Sequence, residues 1–268
     1  MAKRILAVAL MLIFVLATQA QAGTKRIVAF GDSFSDDGIS DGYGFSRKSN
    51  GDVWVEHLAR MLHAELEDRA WCGARSGSGN AAGFDDWSGL AWQVDNFQPK
   101  WEQDDTLYTV LIGINDIYDG DDRAGEVVGN ILSAMNKLAG KGAVNILVSN
   151  VPDITLAPAY IKDYAAKKEA VQKVTRDINA RLETALFGKG GFAGNHPSVH
   201  VYFVDAYGVF NELVAGKHFK NMEEPWYGTY KYPHPDGHMW WDSWHPMTEA
   251  HRTLARAAVQ AVEAGPRK

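Results

Sequence analysis

Beyond Gly23 the chain alternates short, almost continuously apolar runs with longer stretches whose apolar positions recur every three to four residues. Residues 26–30, 106–112, 144–148 and 199–204 show the first pattern, which predicts strands buried on both faces. Residues 53–63 show the second, with Val53, Trp54, His57, Leu58, Met61 and Leu62 on one helical face. Helices are also predicted over 125–138, over 160–186 and after Pro246, where Thr248 is placed to cap a helix with Leu254, Ala258 and Val262 as its inner stripe. Such alternation requires a parallel sheet with right-handed crossovers and helices on both faces, an α/β three-layer α/β/α sandwich. No proline-rich or serine-rich linker and no internal repeat interrupts residues 23–268, which therefore read as a single domain.

The first 22 residues follow a different logic. Lys3 and Arg4 precede an apolar run at 5–17 and a small-x-small sequence, Ala20-Gln21-Ala22. That is the pattern of a signal peptide cleaved before Gly23, and the run is shorter than the roughly 20 residues a spanning helix needs. The protein is accordingly expected to be exported, periplasmic or secreted. Cys72 is the single cysteine, so no intrachain disulfide can form and stability must come from the core. The formal charge of −6 falls by two more if the signal segment is removed, which disfavours nucleic acid as a partner.

In an open parallel sheet, ligands bind beyond the carboxyl ends of the strands, which directs attention to four loops. Gly31-Asp32-Ser33-Phe34-Ser35-Asp36 follows the first strand and exposes a serine where a nucleophile must stand, although a capped turn has the same composition. Asp242-Ser243-Trp244-His245 places a carboxylate three residues before a histidine, so that Asp242 can orient His245 as a base; a capping motif reads the same way. Gly113-Ile114-Asn115-Asp116 follows the strand at 106–112, and its amide can donate to an oxyanion or close an Asx turn. Arg75-Ser76-Gly77-Ser78-Gly79-Asn80 is a glycine-rich loop whose backbone can approach a ligand closely.

Other arrangements compete. Gly38-Ile39-Ser40-Asp41-Gly42 satisfies G-x-S-x-G, but it lacks the strand before and helix after that the motif requires. His234, His238 and His245 lie near Asp236 and Asp242 and invite a zinc reading, without H-E-x-x-H spacing or thiolate partners. Asp36, Asp37 and Asp41 suggest calcium, without the twelve-residue EF-hand pattern.

In order and context the four loops resemble the SGNH or GDSL family of serine esterases and lipases, over most of the chain from Ile27 through the final helix. Gly31-Asp32-Ser33-Phe34-Ser35 stands where that family has its GDSL segment, with Ser35 in place of the usual Leu. Ser49-Asn50-Gly51-Asp52-Val53-Trp54, Ala91-Trp92-Gln93-Val94 and Trp240-Trp241-Asp242-Ser243-Trp244-His245-Pro246 are similar to segments of its bacterial phospholipase, lecithinase and haemolysin branch. The resemblance implies a flavodoxin-like sheet, Ser33 as nucleophile, and Asp242 and His245 as its partners. It further implies an oxyanion hole from Ser33, Gly77 and Asn115, with the register at Gly77 or Gly79 open.

The expected activity is hydrolysis of carboxylic esters, lipid acyl esters first among them, with no cofactor and no metal. A transient contact with a membrane or micelle surface goes with such a substrate. Carbohydrate O-acetyl esters are the alternative substrate, and a non-catalytic carbohydrate- or lipid-binding module the alternative of another class. The aromatic segment from Trp226 to Trp244, just before His245, is expected to line an apolar acyl groove.

Overall fold

The computed structural model describes residues 23–38, 47–226, 234–235 and 237–268. In chain order the elements are β1 (Arg26–Gly31), α1 (Trp54–Leu62), β2 (Glu65–Asp68), α2 (Leu90–Asp95), β3 (Thr106–Leu111), α3 (Ile114–Ile117) and α4 (Ala124–Gly140). There follow β4 (Asn145–Ser149), α5 (Lys168–Phe187), α6 (Phe192–Asn195), β5 (His200–Val204), α7 (Ala206–Ala215) and α8 (Thr248–Ala264). The strands form one sheet in the order β2-β1-β3-β4-β5, and every pairing is parallel. Ile27, Val28, Ala29 and Phe30 of β1 are wholly buried, as are Ile146, Leu147 and Val148 of β4. This is the two-sided burial that continuous apolar strands demand.

Helices α1, α7 and α8 pack together as one layer, while α2, α4 and α5 pack together as the other. The inner stripe of α8 contains Leu254 and Ala258, both fully buried, with Val262 half-buried near its end. Among the described residues, no helix is long and apolar enough to cross a membrane.

Three expectations are corrected. Glu65-Leu66-Glu67-Asp68 is an edge strand that the apolar pattern does not reveal, since one side has no neighbouring strand and tolerates carboxylates. The helix expected over 160–186 starts only at Lys168, after 3-10 turns at Ile154–Leu156, Pro158–Tyr160 and Ala165–Lys167. Their bonds are those of short turns, with the Tyr164 N–H on Ala159 O at 2.8 Å and the Lys167 N–H on Tyr164 O at 2.9 Å, and the Tyr160 hydroxyl is drawn to the Tyr118 carbonyl at 2.6 Å. Thr248 is the first residue of α8 rather than its cap. Its N–H donates to Asn50 Oδ1 at 2.9 Å and its hydroxyl to Asp52 O at 2.8 Å, so the capping acceptor comes from a loop remote in sequence.

The sheet order leaves β1 and β3 adjacent while the chain runs outward from them in opposite directions. Their carboxyl ends therefore open the crevice where such sheets bind ligands.

Candidate active site

Ser33 sits on the turn that leaves β1. The strand ends at Gly31, where a Cβ would come within 2.4 Å of Leu111 O, so only glycine lets the two strands pair this closely here. Gln93, fully enclosed on α2, then completes the peptide: Gly31 N–H donates to its Oε1 at 3.0 Å and its Nε2 donates to Gly31 O at 2.8 Å. Asp32 forms the turn, its Oδ1 accepting the Phe34 N–H and its carbonyl accepting the N–H groups of Ser35 and Asp36. Burial pushes the Asp32 carboxyl up to about 7. Ser35 accepts a bond from Trp54 Nε1 at 2.9 Å, which gives that buried indole its partner.

Across the crevice, His245 Nε2 lies 2.9 Å from Ser33 Oγ, and His245 Nδ1 lies 2.8 Å from both carboxylate oxygens of Asp242. A carboxylate at Nδ1 selects the tautomer with the proton there and leaves Nε2 as an acceptor for the serine hydroxyl. Burial alone would raise the Asp242 carboxyl. The bond and charge of His245 and the N–H groups of Trp244 and His245 outweigh it and hold the group below the ordinary carboxylate range.

The third wall holds the donors. Asn115, at the start of α3 beyond β3, lines the same pocket as Ser33 and His245. Gly77 and Gly79 do not: both line a separate polar pocket with Arg75, Asp85, Arg123 and Glu126. The glycine beside Ser33 is Gly73, which lines the pocket. Its φ of +81° and the 2.4 Å that would separate a Cβ from Asn80 Oδ1 both require glycine there. The resemblance implies Gly77, with Gly79 open; in the structure the glycine that shares the Ser33 pocket lies four residues earlier than Gly77, before the glycine-rich loop turns away. Among the described residues, the N–H groups of Ser33 and Gly73 make no hydrogen bond within the protein, so they remain available to a ligand oxygen.

The pocket in front of these groups has a volume of about 300 Å³. Ile114, Tyr118, Ile154, Tyr164 and Trp244 give it an apolar wall. Trp244 packs edge-on against Tyr164 at 4.9 Å, Tyr160 at 5.6 Å and Tyr118 at 6.1 Å between ring centroids. Among the described residues of the aromatic segment before His245, only Trp244 lines this pocket; Met239 and Trp240 are wholly buried core, and Tyr227, Tyr230 and Tyr232 lie outside the described residues. Cys72 also faces the pocket, with burial pushing its thiol up to about 12, far from a reactive thiolate.

The candidate metal ligands are arranged otherwise. Among the described residues, the acids and histidines that converge closely enough for an ion are Asp36, Asp37 and Asp68, not His234, His238 and His245. Asp36 accepts the N–H groups of Gly38 and Cys72, and Asp68 those of Asp37 and Ala70, so these carboxylates fold two loops together. Ser40, Asp41 and Asp236 lie outside the described residues.

Comparison with known proteins gives the family and the fold. The thermolabile hemolysin of Vibrio parahaemolyticus is 22% identical over 278 residues; the alignment covers 88% of this chain, which spans only 63% of the hemolysin's length. A carbohydrate acetylesterase family member from Sinorhizobium meliloti shares the fold, with a TM-score of 0.53, 16% identity, and 90% of this chain and 98% of that one covered. The family of GDSL-like lipases and acylhydrolases matches residues 27–258, from the strand that carries Ser33 to the helix that follows His245, and the chain belongs to it.

Proposed function

We propose that this protein is an exported serine esterase that cleaves carboxylic esters with an apolar acyl group, lipid acyl esters in particular. One observation carries the reading: the Ser33, His245 and Asp242 side chains form a continuous hydrogen-bonded line at the wall of an apolar pocket. Ser33 Oγ attacks the acyl carbon while His245 Nε2 takes its proton. The carbonyl electrons move onto oxygen, where the N–H groups of Ser33 and Gly73 and the Asn115 amide receive the charge; one such donor is typically worth about 3 kcal/mol. His245 then protonates the departing alcohol, leaving the acyl group on Ser33 Oγ. Water, deprotonated by the same His245, releases the acid and restores the serine.

The acyl group is assigned to the wall of Ile114, Tyr118, Ile154, Tyr164 and Trp244, where each buried methylene adds up to about 0.8 kcal/mol. Export is supported by the basic, apolar and small-x-small sequence of residues 1–22.

The test pairs a fluorophosphonate probe with p-nitrophenyl esters from acetyl to palmitoyl, lysophospholipid and acetylated xylan. Ser33 should be labelled, and kcat/KM should rise from acetyl to medium-chain esters before levelling off. A preference for acetylated xylan with rejection of octanoyl esters would overturn the lipid assignment and leave the nucleophile intact. An unlabelled, inactive protein would make the chain a binding module.

A further inference from the structure

Two donors to the reacting carbonyl, the Gly73 N–H and the Asn115 amide, stand on separate elements about forty residues apart in sequence, and no covalent link fixes their spacing. Hydrogen bonds fix it instead, at consecutive residues of α3. Asn115 Nδ2 donates one proton to Ala74 O at 3.0 Å, joining it directly to the residue after Gly73. Asp116 does the rest. Its Oδ1 and Oδ2 receive the Ser76 N–H at 3.2 and 3.0 Å, and its Oδ1 also receives the Ser76 hydroxyl at 2.7 Å. Ser76 Oγ in turn accepts from Asn130 Nδ2 of α4 at 3.0 Å. Ser76 is fully buried and Asp116 only 6% exposed, so water does not replace these bonds when one partner is lost.

We infer that Asp116 is a positioning residue of the oxyanion hole: through Ser76 it holds the Gly73 turn in register with Asn115. The inference rests on the esterase reading above and adds a residue that never touches substrate. It also explains why a carboxylate is needed at this point rather than any buried polar group. Two donors of one residue, the Ser76 N–H shared between both oxygens and the Ser76 hydroxyl, converge on one side chain, and an ionised carboxyl accepts on both oxygens with charge-assisted bonds.

The charge state matters for the same reason. Burial pushes the Asp116 carboxyl up to about 6, against the bonds from Ser76 and the positive charge of Arg75, with Glu126 of α4 pushing in the same direction as burial. Asp32, on the β1 turn, interacts with it as a like charge, and Asp85 and Arg123 line the polar pocket that Asp116 shares. A proton taken up by Asp116 removes the charge that strengthens both bonds from Ser76 and weakens the carboxyl as an acceptor for the Ser76 N–H, which can only donate. The hole then loosens without any change in Ser33 or His245. The activity profile should therefore carry an acid limb that belongs to Asp116.

The experiment compares wild type, Asp116→Asn and Ser76→Ala in hydrolysis of p-nitrophenyl butyrate and in inhibition by an alkyl trifluoromethyl ketone. The ketone's adduct with a serine places an oxyanion in the hole. For Asp116→Asn, kcat should fall about 100-fold, with KM within about threefold and ketone affinity lowered by the same factor as kcat. The Asp116 acid limb should also vanish from its pH profile. Ser76→Ala keeps the backbone bond and should lose about tenfold in kcat in the same pattern, which keeps the inference testable if Asp116→Asn does not fold.

Ketone affinity unchanged while kcat falls would overturn the inference, as would a rise in KM at constant kcat. Wild-type turnover and labelling of Ser33 report separately on the esterase reading, so failure of one is not mistaken for failure of the other.

Discussion

Ser33 and His245 stand 2.9 Å apart, and the chain holds them by different means. Ser33 is fixed from below by the sheet. Its turn hangs from Gly31, which is pressed against Leu111, bonded to Gln93 from another layer, and followed by the wholly buried Asp32. His245 is fixed mainly by its own loop, which the Ala159 N–H on Ser243 O and the Ser49 hydroxyl on Pro246 O tie to the rest of the domain. The Asp242 carboxylate accepts the N–H groups of Trp244 and His245, the Trp241 N–H donates to His245 O, and Trp240 bridges to Pro246. Side chains on this side are more open, 15% exposed for His245 and 28% for Asp242. The difference suits the two tasks. In the proposed reaction, the nucleophile must keep its place relative to donors that share the same carbonyl, whereas the base must meet an alcohol and then a water.

The contrast makes separable claims about activity and stability. The largest effect is expected on the loop side. Asp242→Asn should lower kcat/KM about 10⁴-fold by favouring the wrong imidazole tautomer, while Tm moves by no more than about 2 °C because the amide oxygen can still accept the local N–H bonds. A thermal melt showing a large loss of stability would break the comparison. On the sheet side the two properties should fall together. Gln93→Leu leaves the buried Gly31 N–H and Ser88 carbonyl without their partners, and should cost about 3 kcal/mol in denaturant unfolding together with about tenfold in kcat. Stability unchanged in that variant would mean that Gln93 does not hold the turn.

The smallest effect sharpens the picture beneath Phe34. His251 of α8 is fully buried against the Phe34 ring at 6.0 Å, and among the described residues neither ring nitrogen finds a hydrogen-bond partner. Burial, and then the nearby charges of His57 and His245, push it down to about 3. The unfolded chain therefore binds a proton that the folded chain refuses between about pH 6.5 and pH 3, and stability is lost as pH falls through that window. Asp32 and Asp68, both raised by burial, work in the opposite sense, so the comparison must be between variant and wild type. His251→Leu should remove about 2 kcal/mol of acid destabilisation between pH 7 and pH 5 in paired urea titrations. Parallel curves for the two proteins would show that His251 does not titrate in this way.

Four of the five strands are readable along the chain because β1, β3, β4 and β5 are apolar on both faces. The fifth, β2, is an edge whose Glu65 and Glu67 carry no signal of burial, and the glycine that lines the Ser33 pocket, Gly73, stands outside the Ser-Gly-Ser-Gly run that marks the loop in sequence. Asp242 and His245 are readable as a pair since three residues of spacing suffice to bring them together. Gln93 and Asp116 are ordinary polar residues until the fold sets them against Gly31 and Ser76, 62 and 40 residues away. Next to His245 in sequence, Met239 and Trp240 are claimed by the core, and Tyr118 and Tyr164 reach the aromatic wall from other crossovers.

The parallel pairing of β1 with β3 puts Gly31 opposite Leu111, the last residue of each strand before the loops that carry Ser33 and Asn115. Neighbouring strands in any such ladder are about 4.8 Å apart, a spacing set by peptide hydrogen bonds rather than by side-chain shape. The separation of the proposed attacking atom and receiving amide is thus referred to a ruler that does not stretch when helices shift on the sheet. Warming that loosens the outer layers should reach this distance last, so the reaction geometry survives until the ladder itself parts.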